Sequence, residues 1–95
     1  MARDEAETSR ADILETLADL NGALTAEIGR DRTEQVCEYI DHHEFGLALE
    51  LIIALVAHHG LQARPYEAGV ERLAKAMEMD ASPHLSEWRS YVGGA

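Results

Sequence analysis

Four of the five histidines fall in two adjacent pairs, His42-His43 and His58-His59, and imidazoles placed two by two could supply the ligands of a metal site. The spacing argues against it. If the pairs flank one continuous helix, roughly 15 residues at about 1.5 Å each hold them roughly 22 Å apart. Neighbouring histidines on a helix also point about 100° from each other, which is poor chelate geometry. Zinc would therefore need a dimer or another chain path, and no metal or cofactor is expected. Each pair instead fits a helix C-terminus, where the macrodipole favours partial positive charge and an imidazole can reach open carbonyls.

The other candidates for chemistry are the single Cys37 and the many carboxylates. Cys37 cannot form an intramolecular disulfide and suits a reducing compartment, and its setting is that of a small apolar core residue. General acid/base work needs two carboxylates whose environments push their pKa values apart. Here Asp12, Glu15 and Asp19 share one exposed stripe, and Glu34, Glu38 and Asp41 share another at i, i+4 and i+7, with no base between the latter three. No glycine-rich phosphate loop or Gly-x-Ser-x-Gly elbow occurs. The chain is not expected to be an enzyme.

These side chains need elements to position them. At 95 residues, 46% apolar and 27% charged, the chain suits one domain over residues 1–95 with a single core, residues 1–8 forming a disordered tail. The periodicity predicts an all-α fold, a compact bundle of four helices plus a short C-terminal one. Ser9 is placed to cap the first helix, whose stripe is Ile13, Leu17, Leu20 and Leu24; Asn21-Gly22 should weaken its end, somewhere between Leu20 and Glu27. A second helix from Asp31 or Thr33 to His42 buries Val36, Cys37 and Ile40. The third, about 44–58, is apolar nearly all the way round and must form the centre, with Glu50 obliged to reach a rim or find a partner. Gly60 suits a left-handed C-terminal position. Pro65 opens a fourth helix with the stripe Tyr66, Val70, Leu73 and Met77, where Glu71 and Lys75 can pair. Ser82-Pro83 caps the last helix, in which Leu85, Trp88 and Val92 line one side and Trp88 seals the bundle.

Charge limits the partners. The net charge is −10, and residues 1–44 carry 12 acids against 4 bases while residues 45–95 carry 6 against 4. Such a field repels nucleic acid and anionic lipid and speeds association with a basic protein surface. The N-terminus is acidic where a secretory signal would be basic, then apolar. The longest apolar run, Phe45–Ala57, spans 13 residues and contains Glu50, short of the roughly 20 a bilayer crossing needs. A cytoplasmic protein without membrane or nucleic-acid contact is expected.

The segment from Cys37 to Leu51, Cys-Glu-Tyr-Ile-Asp-His-His-Glu-Phe-Gly-Leu-Ala-Leu-Glu-Leu, resembles the central signature of MafI-family immunity proteins. There a helix ends in a short turn followed by Glu, an aromatic residue, Gly and an Ala-Leu-Glu-Leu helix. The match carries onto Glu44, Phe45, Gly46, Ala48, Leu49, Glu50 and Leu51, and the likeness covers residues 33–80. At the turn the pattern expects Gly where this chain has His43, which must then accept the left-handed region or lengthen the turn. The resemblance implies a small cytoplasmic protein of a polymorphic toxin system that binds a cognate bacterial toxin domain, often a nuclease, and neutralises it in a stoichiometric complex. The acidic charge suits a basic partner. Glu34, Glu38, Asp41, His42 and Glu44 are the expected contact surface, with Asp12, Glu15 and Asp19 as an alternative patch. Phe45, Leu49 and Leu51 should be core, and Gly46 should allow close helix approach. Monomer or weak homodimer is expected. Two other readings remain open: a helical adaptor that dimerises through the third helix or the Trp88 segment, and a metal sensor using the histidine pairs across a dimer.

Overall fold

A break at Gly29 sets the first corner of the chain. In the computed structural model, which describes residues 2–79 and 81–94 and the side chains of residues 10–79 and 81–93, α1 runs Ala2–Ile28 and α2 Arg30–Asp41. Gly29 alone separates them, at φ 93° and ψ 155°, a region open essentially to glycine only. Its N–H closes α1 on the Thr25 carbonyl (2.9 Å), and its own carbonyl accepts the Arg32 N–H (3.3 Å). Thr33, fully buried, holds the corner: its hydroxyl lies 2.7 Å from that of Thr25 and within reach of the Gly29 and Arg30 carbonyls, so Thr33 can donate to a carbonyl while Thr25 donates to Thr33.

Three sequence expectations change here. Ser9 lies inside α1 rather than capping it, and the segment expected as a tail is helical from Ala2 on, Met1 lying outside the described residues. Asn21-Gly22 does not end the helix. A glycine inside a helix costs about 1 kcal/mol, but Leu17, Leu20 and Leu24 are buried on both sides of it, each contributing roughly 1.5–3 kcal/mol.

The remaining elements are α3 Phe45–His58, α4 Arg64–Ala76 and α5 Pro83–Gly94, with no strand among the described residues. The fold is all-α, and α5, at 12 residues, is as long as α2. The helix α3 touches each of the other four and is the central element. Its buried side is Ala48, Leu49, Ile52, Ile53 and Val56, which meets Leu17, Leu20, Leu24, Val36, Tyr66, Val70, Leu73, Leu85 and Trp88 in one core. Trp88 is 1% exposed and closes the bundle. Yet α3 is not enclosed all round: Leu47 is 46% exposed, and Phe45 and Leu51 are half-buried rather than core. Cys37 and Ile40 are likewise only half-buried, as is Met77, which lies past the end of α4.

Close approach occurs at Gly69 instead of Gly46. A Cβ on Gly69 would stand 2.9 Å from Leu20 Cδ2, so α1 packs on α4 through the missing side chain; a Cβ on Gly46 would meet only Met79 Sδ at an ordinary 4.0 Å. Glu50 finds its partner in Ser82, whose hydroxyl donates to its carboxylate at 2.9 Å, while the Ser82 carbonyl accepts the Leu85 N–H (3.1 Å) to start α5. Glu71 is engaged by Arg89 of α5 rather than by Lys75, through two bonds of 3.0 and 3.3 Å.

Three helices end in the same way. After α2, the His43 N–H bonds the Ile40 carbonyl (3.0 Å) and the Glu44 N–H the Tyr39 carbonyl (2.8 Å); after α3, Gly60 and Leu61 bond Ala57 and Val56; after α4, Glu78 and Met79 bond Lys75 and Ala74. Each is a Schellman motif with a left-handed residue at its centre. Gly60 (φ 63°) meets that need at no steric cost, whereas His43 (φ 59°) and Glu78 (φ 52°) adopt it as non-glycine residues.

Candidate partner-binding surface

The turn after α2 brings three of the five expected contact residues, Asp41, His42 and Glu44, close along the chain. Asp41 is the last residue of α2, His42 its C-cap at φ −92° and ψ 11°, His43 the left-handed residue, and Glu44 the N-cap of α3, whose carbonyl accepts the Ala48 N–H at 3.0 Å. His43 takes the left-handed alternative and the turn keeps its length. Its ring stacks on Phe45 with centroids 5.5 Å apart and planes 22° from parallel, which fixes the turn from its outer side.

Along α2, Thr33 and Val36 face the core, and Glu34, Glu38 and Asp41 lie on the opposite, exposed side; His42 and Glu44 are exposed as well. The surface is electrostatically unbalanced. Two ion pairs occur among the described residues outside it, Arg72–Asp12 at 3.8 Å and Arg89–Glu71 at 3.0 Å. The last turn of α2 holds no basic residue, so Glu38 and Asp41 stand where the helix carbonyls already carry partial negative charge. That placement costs stability, roughly a few tenths of a kcal/mol per carboxylate. A cationic partner would relieve it.

The alternative patch is less uniform. Glu15 and Asp19 are exposed, but Asp12 is half-buried and drawn to Arg72 of α4. The histidine pairs lie at opposite ends of α3, and His58 and His59 meet edge to face with centroids 5.1 Å apart, their rings turned 88° to each other. Among the described residues, no group of three or more His, Cys, Asp or Glu side chains is arranged to hold a metal ion.

Part-buried polar contacts between helices went unforeseen from sequence. The Tyr66 hydroxyl donates to the Glu27 carboxylate, tying α4 to α1, and burial, then this hydrogen bond and the Glu27 charge, push the phenol's pKa above its usual value. The Asn21 amide nitrogen donates to Cys37 Sγ at 3.2 Å, tying α1 to α2. Only an amphipathic register of polar residues between helices signals such pairs, and sequence spacing does not say which helix supplies the partner. No helix of the described residues is long and apolar enough to cross a membrane.

Comparison of the chain with protein-family models, curated proteins and solved structures finds no match.

Proposed function

We propose that this chain is an immunity protein, acting in the cytoplasm, that binds a cognate, basic bacterial toxin domain and neutralises it in a stoichiometric complex. The observation that carries the reading is the carboxylate face of α2, where Glu34, Glu38 and Asp41 are exposed and lie outside the described ion pairs, two of them at the unfavourable end of the helix dipole. A surface that costs stability in the free protein and lacks a catalytic arrangement is accounted for by a positively charged partner. An enzyme that grips nucleic acid is such a partner, and a −10 inhibitor would be steered onto it. The resemblance of Cys37–Leu51 to the MafI-family signature supports the same reading, and the left-handed His43 is compatible with the turn that signature expects.

In this mechanism the chain contributes no chemistry. Electrostatic steering raises the association rate, the rigid α2–α3 turn presents its carboxylates without large rearrangement, and toxicity falls because the toxin's substrate is excluded. The test is a pull-down from the source bacterium with this protein as bait, followed by an activity assay on any basic domain that co-purifies. One-to-one capture with silencing is expected; a captured domain that stays active contradicts the proposal.

A helical adaptor that dimerises through α3 is the second reading, favoured by the 46% exposure of Leu47. The Trp88 segment no longer supports it, since Trp88 is buried. A monomer by light scattering at micromolar concentration would count against this alternative.

A further inference from the structure

The helices α4 and α5 leave a groove between the first half of α4 and the last turns of α5. Arg89 of α5 donates to Glu71 of α4 through bonds of 3.0 and 3.3 Å at one end, and the Tyr91 hydroxyl donates to the Leu61 carbonyl at 2.5 Å near the other. Between these ties lie two cavities, of about 350 and about 490 Å³, that share Glu67 and Val92 in their walls. Trp88 and Val92, one turn apart on α5, supply the apolar wall of the first, and Val92 and Ala63 that of the second. Cavities of this volume, apolar with a few polar groups, are the usual form of a small-molecule site. Tied at both ends, the groove needs little reorganisation to accept a ligand.

Its charges select the ligand. Arg64 and Glu67 line one cavity and Glu71 and Arg89 the other, so acids and bases balance here in a chain of net charge −10. Glu71 is engaged by Arg89, but neither the Arg64 nor the Glu67 side chain has an ion-pair or hydrogen-bond partner among the described residues. Three positions apart, they are nonetheless neighbours on the helix surface. Glu67 is half-buried, and Arg64 stands at the start of α4, where the helix dipole disfavours a cation. A simple ion of either sign would meet one attracting and one repelling charge. An ammonium and a carboxylate joined through one carbon satisfy both. We infer that the α4–α5 groove binds an α-amino acid with a large apolar side chain, its carboxylate on Arg64, its ammonium on Glu67 and its side chain against Trp88 and Val92. This goes beyond the proposed binding of a toxin and uses a different part of the molecule, since α2 is in contact with neither α4 nor α5.

The test uses the full chain and L-phenylalanine, phenethylamine, 3-phenylpropionate and glycine, each titrated into the millimolar range and followed through the backbone amide NMR signals. Compared with L-phenylalanine, the second probe lacks the carboxylate, the third the ammonium and the fourth the apolar side chain. L-Phenylalanine should shift the signals of residues 62–67 and 88–93 together and saturably, and the other three should each bind about tenfold or more weakly. Glu67→Gln should bind L-phenylalanine no better than 3-phenylpropionate, and Arg64→Gln no better than phenethylamine. Unchanged amide signals elsewhere and an unchanged melt show that both variants stay folded. Absence of a saturable response to L-phenylalanine, equal binding of either single-charge analogue by the wild type, or full preference for L-phenylalanine in either variant would overturn the site. Glycine binding as tightly as L-phenylalanine would overturn the role of the apolar wall, and with it the class of ligand.

Discussion

Replacing Glu78 by glycine should make the protein more stable, although it removes a side chain from the middle of a turn. Glu78 sits at φ 52° in the Schellman motif that ends α4, with Met79 bonded back to Ala74 at 2.9 Å. The left-handed region costs a non-glycine residue about 1–2 kcal/mol, and glycine gives back roughly 0.5–1 kcal/mol through the greater freedom of its unfolded chain. The balance is a gain of about 0.5–1 kcal/mol, which for a domain of this size raises Tm by about 2–8 °C. Removing a carboxylate from a helix C-terminus adds a few tenths of a kcal/mol, and Glu78→Gln isolates that part because it keeps the backbone cost. Thermal melts followed by helical circular dichroism at neutral pH, with urea unfolding at one temperature, compare the three proteins. Glu78→Gly should exceed Glu78→Gln by at least about 0.5 kcal/mol. Equal stability of the two variants would refute the conformational argument. His43→Gly provides an internal contrast, since the same relief is set against loss of the stack on Phe45, worth about 0.5–1.5 kcal/mol; its net effect should be close to zero.

Gly29→Ala should destabilise by about 1–3 kcal/mol, because φ 93° with ψ 155° excludes a Cβ even though nothing stands within 4 Å of it; an unchanged urea midpoint would contradict this. Leu49→Asp should abolish folding, since an unpaired charge at a position with no exposure costs about 4–5 kcal/mol or more against a total of about 5–15 kcal/mol. A soluble, cooperatively melting variant would remove α3 from the centre of the bundle. The raised pKa of Tyr66 makes the folded state hold a proton that the unfolded chain releases near pH 10, so this contribution is complete below pH 10 and is lost above it, by up to about 1.4 kcal/mol per pH unit. Urea unfolding from pH 9 to 11 should show the wild type losing its advantage over Tyr66→Phe, and parallel pH profiles would contradict the assignment.

The helices with strong punctuation were legible in the sequence. The expected third helix at about 44–58 is Phe45–His58, Pro65 falls in the first turn of α4, and Gly60 takes the left-handed position. The extent of α1 was not legible, because Asn21-Gly22 carries a local breaking signal that the burial of Leu20 and Leu24 outweighs, while the true break rests on the backbone angles of Gly29. Glycine types alone do not tell which one admits a neighbour: Gly69 lies against Leu20, and Gly46 has ordinary space. The exposed carboxylate face of α2 was readable from 3.6-residue periodicity, since it needs only its own helix. The pairing of α1 with α2 was not, because it is a relation between two helices, fixed by Asn21–Cys37 and Thr25–Thr33.

The most direct test of the central claim is the activity of a co-purified basic domain, titrated with wild-type protein and with the Glu34→Lys/Glu38→Lys/Asp41→Lys variant. The proposed function predicts complete silencing at one equivalent of wild type and loss of protection, with folding retained, in the variant. Capture of the protein by itself alone, or silencing that survives the triple charge reversal, would contradict the claim that this acidic face neutralises a toxin.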